Sequence, residues 1–102
     1  MDILIATKKG KVIRADIDTF PILGRATQGV RGIKLEGEDE VADIAFADEE
    51  DTLLIAVTNK GKLIRTRLDS IKQQERGGSG CILGKLLAGD EIKNIEVTCP
   101  NW

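Results

Sequence analysis

The sequence predicts an all-β protein made of two tandem, four-stranded, propeller-like blades of about fifty residues each. Three observations predict this fold class: an internal repeat, short runs rich in Ile, Leu and Val that suit buried strands, and a glycine-containing turn near the start of each repeat. No segment indicates a helix of three turns. The predicted domains are residues 1–51 and residues 52–102.

The internal repeat has a spacing of 51 residues. It aligns TKKGKVIRADID (residues 7–18) with TNKGKLIRTRLD (residues 58–69). Over residues 4–46 and 55–97, 14 of 43 aligned positions are identical without a gap. Four short strands recurring at a fixed period are typical of propeller blades, so the repeat predicts two blades.

Each repeat is predicted to begin with two strands joined by a tight turn, Lys8-Lys9-Gly10 or Asn59-Lys60-Gly61. Glycine at the end of such a turn supplies the positive φ that hairpins require. The predicted strands, in order, are residues 2–7, 11–17, 29–35 and 41–47 in the first repeat, and residues 52–58, 62–68, 81–87 and 92–98 in the second.

The composition argues against an enzyme. The chain has no His, which removes the usual acid–base residue and the commonest metal ligand, and its two Cys are too few for a structural zinc site. We therefore expect no catalytic residue, no metal and no cofactor. No apolar run reaches 18 residues and no signal peptide is evident, so we expect a cytoplasmic protein with no membrane segment and free thiols.

The charges alternate along the chain, although the net charge is only −2. Residues 1–35 and 52–87 carry net charges of +4 and +5, whereas residues 36–51 carry −9. The acidic run fits exposed turns between strands, with a DNA mimic or a cation site as alternatives. The recurring basic positions fit either a solvated strand face or a rim that contacts phosphate.

Two stretches of sequence carry a family resemblance. GRATQGVRGIKLEGEDEV together with TNKGKLIRT resembles the C-terminal repeats of the DNA gyrase A subunit and its topoisomerase IV relative. The resemblance implies a β-pinwheel whose neighbouring blades exchange strands and whose basic edge wraps duplex DNA. The residues that it implies as DNA contacts are Lys11, Arg14, Arg25, Arg31, Lys62, Arg65, Arg67 and Arg76.

The segment QQERGGSG (residues 73–80) aligns with the family's gyrase box, Q-[RK]-R-G-G-[RK]-G. The matching residues are Gln74, Arg76, Gly77, Gly78 and Gly80. Glu75 and Ser79 replace two of the three basic residues, so the loop resembles a degenerate box that keeps its glycines and loses most of its charge. A plain flexible loop is the alternative interpretation of GGSG.

These observations predict a non-catalytic module that binds and wraps DNA in the manner of the gyrase A C-terminal domain. The alternative is a protein-interaction or gyrase-modulating module with little DNA binding. The expected partner is duplex DNA, bound weakly and without sequence preference. Two blades per chain also predict a homo-oligomer, a trimer of six blades before a dimer of four, or a place within a gyrase or topoisomerase subunit.

Overall fold

The computed structural model describes residues 1–17, 37, 39–48, 50–71, 81–84 and 86–99. These residues contain seven strands: β1 (Asp2–Thr7), β2 (Lys11–Asp16), β3 (Val41–Ala47), β4 (Leu53–Thr58), β5 (Leu63–Arg67), β6 (Cys81–Ile82) and β7 (Ile92–Thr98). Six of the eight predicted strands are thereby confirmed to within one residue at each end. The predicted strand 29–35 lies outside the described residues.

The predicted strand 81–87 is wrong over most of its length, because β6 contains only Cys81 and Ile82. The apolar residues Leu83 and Leu86 follow β6 in an irregular segment and pack against the core without forming a strand. Their apolar pattern reflects burial, which a loop segment can share with a strand.

The strands form two antiparallel sheets that do not respect the repeat boundary. Sheet 1 has the order β3-β1-β2-β6, and sheet 2 has the order β5-β4-β7. Strand β6 belongs to the second repeat by sequence, yet it pairs with β2 of the first through Lys11 opposite Ile82 and Val12 opposite Cys81. Sheet 1 therefore reaches four strands by taking one from its neighbour, as the resemblance implied.

The two sheets pack against each other through opposite faces. We call the side of sheet 1 that carries Leu4, Ala6, Val12 and Arg14 its front, and the side that carries Ile3, Ile5, Ile13, Ile44 and Phe46 its back. By the repeat, the front of sheet 2 carries Ile55, Val57, Leu63, Arg65 and Arg67, and its back carries Leu54, Ala56, Ile64, Ile95 and Val97. The main hydrophobic core joins the front of sheet 1 to the back of sheet 2.

Each β-hairpin is closed by a threonine whose side chain is buried. Thr7 Oγ1 accepts a hydrogen bond from the N–H of Lys11 at 3.1 Å, and Thr58 Oγ1 accepts one from the N–H of Lys62 at 3.0 Å. Gly10 and Gly61 end these turns with φ values of 100° and 84°. The expected positive φ is confirmed in both turns, where a side chain would be strained.

Backbone contacts tie the repeats together at the same end of the hairpins. The N–H of Leu83 donates to the carbonyl of Gly10 at 2.8 Å, and the N–H of Ile92 donates to the carbonyl of Lys8 at 2.9 Å. Further along the sheets, the N–H of Ile95 donates to Asp43 Oδ2 at 2.9 Å. The contact between sheets is thus fixed by directional bonds as well as by apolar burial.

Candidate nucleic-acid interface

Five of the eight predicted DNA contacts lie in the described part of the chain, all on β2 or β5 or next to them. They are Lys11, Arg14, Lys62, Arg65 and Arg67. Outside the described residues lie Arg25, Arg31 and the whole degenerate box, which comprises Gln74, Glu75, Arg76, Gly77, Gly78, Ser79 and Gly80.

Strand β5 forms an exposed basic edge of sheet 2. Lys62, Arg65 and Arg67 are all exposed, and the segment 62–67 contains no acidic residue. Within the described residues β5 pairs only with β4, so its other side borders no strand there. Arg65 and Arg67 are two positions apart and therefore project from the same face, about 7 Å apart along the strand.

Arg67 is partly neutralised by a neighbour. Its Nη2 lies 2.9 Å from Asp69 Oδ2, and both side chains are well exposed. Exposed ion pairs of this kind contribute about 0–1 kcal/mol, so a phosphate can displace the carboxylate at small cost. The pair borders a shallow hollow of about 150 Å³, lined by Arg14, Asp51, Thr52, Arg67, Leu68 and Asp69.

Arg14 occupies a different environment, although it aligns with Arg65. Its Nε lies 2.6 Å from Asp2 Oδ2, and its Nη1 donates to the carbonyls of Leu68 at 2.9 Å and Ile71 at 3.4 Å. Only 28% of the side chain is exposed. The structure therefore places Arg14 in the contact between the two repeats, where its planar, multi-donor head group suits several acceptors.

Lys11 and Lys62 align with each other and differ in exposure. Lys62 is exposed, whereas Lys11 is half-buried beside β6. Long lysine side chains can bury the stem and keep the ammonium group in water. The repeat thus offers a cation at the start of the returning strand in both units.

The hairpin turns carry further lysines that the sequence analysis did not assign. Lys8 Nζ lies 2.9 Å from Glu40 Oε2. The hydrogen bond that Lys8 donates to Glu40, the charge of Glu40 and the charge of Glu91 together raise the pKa of Lys8. Lys60 Nζ donates to the carbonyl of Ala88 at 2.8 Å. The recurrence of lysine directly before Gly10 and Gly61 could have pointed to Lys60, whereas Lys8 aligns with Asn59 and had no such signal.

Two aspartates from the acidic segments serve the turns rather than a ligand. Asp39 Oδ1 accepts from the N–H groups of Lys9 and Glu40, and Asp90 Oδ1 accepts from those of Lys60 and Glu91. Burial raises the pKa of Asp90. The Thr58 hydroxyl, the two backbone N–H groups and the Lys60 charge together lower it by more, so the net shift is downward. Among the described residues, no group of three or more Cys, Asp or Glu could hold a metal ion.

Comparison with known proteins settles the family. Residues 2–48 and residues 52–99 each match the family described as "DNA gyrase C-terminal domain, beta-propeller". The chain belongs to the DNA gyrase C-terminal domain family. The resemblance stated from the sequence is therefore confirmed, and each matched range corresponds to one repeat.

Full-length relatives in this family are much longer than this chain. Over 82 residues it is 42% identical to the DNA gyrase A subunit of Haloquadratum walsbyi, a match covering 79% of this chain and 10% of that protein. Over 81 residues it is 41% identical to the DNA gyrase A subunit of Staphylococcus aureus, covering 78% and 9%. The chain thus spans about a tenth of the curated relatives that it matches.

Solved structures of the family have the same fold. A structure of the DNA gyrase A C-terminal domain superposes with a TM-score of 0.73 at 27% identity, over 92% of this chain and 30% of that one. The C-terminal domain of DNA topoisomerase IV superposes with a TM-score of 0.81 at 22% identity, over 95% and 29%. The predicted β-pinwheel, propeller-like fold is confirmed. Among the described residues, no helix is long and apolar enough to cross a membrane.

Proposed function

We propose that this chain is a non-catalytic module that binds duplex DNA through its phosphates and helps to wrap it. The observation that carries the proposal is the basic edge β5, on which Lys62, Arg65 and Arg67 are exposed together. Family membership supports it, since the matched relatives are DNA gyrase subunits.

The arrangement suits the DNA backbone rather than the bases. Lys and Arg bound to phosphate displace condensed counterions, which drives binding without reading the sequence. No recognition helix is present among the described residues, and the exposed cations stand on a strand edge. We therefore propose weak, sequence-independent binding, in which Lys11 adds a contact from the first repeat.

The chain itself would carry out no chemistry. The sequence has no His, and its basic residues can hold phosphate without breaking a bond. The module needs no cofactor and acts in the cytoplasm, where its DNA lies. If the chain is part of a longer gyrase or topoisomerase subunit, it would supply DNA wrapping to an enzyme whose catalytic parts lie elsewhere.

Fluorescence anisotropy of a labelled duplex across a salt series tests the proposal. Replacing Lys62 or Arg67 with Ala should weaken binding and reduce the log–log salt slope by about one unit for each phosphate that the variant no longer neutralises. Lys93→Ala is the matched control, because Lys93 is an exposed cation on β7, away from the β5 edge. Equal losses of affinity in all three variants, or none in any, would contradict the assignment of β5.

A protein-interaction module is the second candidate, and one observation favours it. Leu63, Ile44 and Phe46 expose 62%, 47% and 52% of their surface on strands of the two sheets. Exposed apolar side chains grouped on sheet faces are typical of surfaces that bind protein. A chain that fails to bind DNA at low salt but associates with protein would favour this candidate.

A further inference from the structure

The two sheets pack front to back, so the contact joins two different faces. The front of sheet 1 packs on the back of sheet 2, and residues of both faces form one core. Since the repeats are related in sequence, each sheet has both kinds of face. Among the described residues, no sheet packs on the front of sheet 2 or on the β3 side of the back of sheet 1, whereas their counterparts are covered.

The apolar residues on the free front have counterparts that are buried in the internal contact. Leu63 is 62% exposed, whereas its repeat counterpart Val12 is fully buried. Ile55 and Val57 are half-buried, whereas their counterparts Leu4 and Ala6 are fully buried. The front of sheet 2 thus carries apolar residues like those of the internal contact, but these residues are more exposed to solvent than their counterparts.

The free back follows the same rule along β3. Ile44 and Phe46 are 47% and 52% exposed, whereas the counterpart of Ile44, Ile95, is only 7% exposed. Val97, the counterpart of Phe46, is half-buried and packs against the main core. The remaining residues of this back face, Ile3, Ile5 and Ile13, are already buried, so its open part is the β3 side.

We propose that a second copy of this chain docks head to tail, with its Ile44 and Phe46 on the Leu63 face of the first copy. The internal contact shows that the back of one sheet packs on the front of the next, and the β3 side of the second copy's back supplies the exposed part of such a surface. Such a contact buries the apolar side chains that the isolated chain exposes, at about 25 cal/mol for each Å² removed from water.

The edge of β5 is suited to the same partner. In sheet 1 the corresponding edge of β2 is paired with β6, and the Gly10 carbonyl accepts the N–H of Leu83 at 2.8 Å. No strand pairs with the β5 edge within the described residues. A docked copy would supply an extended segment there, and the added backbone bonds would fix the register.

Arg65 would then do for the second copy what Arg14 does inside the chain. Arg14 bridges Asp2 of its own repeat and the Leu68 carbonyl of the next. The counterpart of Asp2 is Leu53, so Arg65 has no carboxylate at that position in its own repeat. In the assembly its guanidinium donates to backbone carbonyls of the docked copy.

Head-to-tail contacts close into a ring when the rotation per copy fits, and otherwise grow into longer chains. Native mass spectrometry and light scattering over a concentration series separate these from a monomer of 11.1 kDa. We expect a closed assembly, a trimer before a dimer, that places the repeats in one ring. A chain that stays monomeric at every concentration would overturn the proposal.

Two single variants test the direction of the contact. Leu63→Glu blocks the front and Phe46→Glu blocks the back, so each alone should be a monomer. Mixed in equal amounts, they should form a dimer and nothing larger, because each variant keeps the face that the other lacks. Leu87→Glu is the matched control: its side chain is 60% exposed, as Leu63 is at 62%, and it lies on neither sheet face.

Urea unfolding first verifies that each variant is folded, and Ile44→Glu replaces Phe46→Glu if the latter is not. Monomeric single variants, a dimer on mixing and an assembled Leu87→Glu protein would support the proposal. Dissociation of Leu87→Glu to the same degree, or failure of the mixture to pair, would overturn it.

Discussion

Asp90 accepts a hydrogen bond from the backbone N–H of Lys60 at 3.0 Å, although thirty residues separate the two in sequence. The first repeat contains the same bond, between Asp39 and the N–H of Lys9, at the same distance of 3.0 Å. In both repeats a buried carboxylate therefore holds the hairpin turn to the turn that precedes the last strand. This bond explains why the aspartate recurs at a spacing of 51 residues.

The carboxylate of Asp90 should make stability depend on pH. Its pKa is lowered in the folded state, so its contribution is present above the unfolded value near 3.8 and is lost as pH falls through the folded pKa. Asp90→Asn should therefore lower the urea midpoint at neutral pH, and the gap to the parent should shrink below about pH 4. Asp69→Asn, at an exposed position, should show a smaller gap. A gap for Asp90→Asn that stays the same from neutral pH to acid pH would contradict this role.

Arg14 and Arg65 should differ in their contribution to stability even though the repeat aligns them. Arg14→Ala removes bonds to Asp2, Leu68 and Ile71 and should cost about 1–3 kcal/mol of the free energy of unfolding. Arg65→Ala should stay within about 0.5 kcal/mol when measured at a concentration where the chain is a monomer. Equal losses in urea unfolding would show that Arg14 does not join the repeats.

Gly61 tests the cost of positive φ without a steric clash. At φ 84° it has no heavy atom within 4 Å of an added Cβ, so Gly61→Ala should cost about 1–2 kcal/mol from backbone conformation alone. Gly84→Ala is the control, since its added Cβ would meet Ile64 at an ordinary 3.7 Å and its φ is not positive. Thermal unfolding should therefore separate the two variants. A Gly61→Ala protein as stable as the parent would show that this turn does not depend on glycine.

The degenerate box gives a prediction that rests on its sequence. Glu75→Arg together with Ser79→Lys restores the basic positions of the family pattern and adds three units of positive charge per loop. DNA affinity should rise, and the salt slope should steepen by about one to two units per loop engaged. Arg76→Ala should weaken the binding that the natural loop provides. If anisotropy shows the doubly substituted chain binding as the parent does, the loop does not face DNA.

Much of the fold could be predicted because the pattern is local. The apolar runs in β1, β2 and β4, and the glycines at positions 10 and 61, fix each hairpin and its turn within a few residues. The pairing of Cys81 and Ile82 with β2 could not be predicted in the same way. Periodicity tells which side of a strand is buried, but it does not tell which strand lies beside it.

The basic residues also show that sequence alone does not identify a residue's partner. Arg14 and Arg65 have similar preceding residues, Val-Ile and Leu-Ile, so the sequence predicts the same role for both. The structure separates them because the following repeat packs on Arg14, whereas within the described residues the side chain of Arg65 makes no hydrogen bond or ion pair. The repeat predicts the residue type at each aligned position. Which residue that side chain contacts depends on whether another repeat follows and packs against it.

The salt dependence of duplex binding by the unmodified chain tests most directly whether the β5 edge binds DNA. If Lys62 and Arg67 contact phosphate, with Lys11 adding a third contact, the logarithm of the binding constant should fall with the logarithm of salt concentration with a slope of about −2 to −3. The affinity should be equal for duplexes of unrelated sequence. A flat salt dependence, or no binding at about 20 mM salt where phosphate contacts are strongest, would contradict DNA binding through this edge.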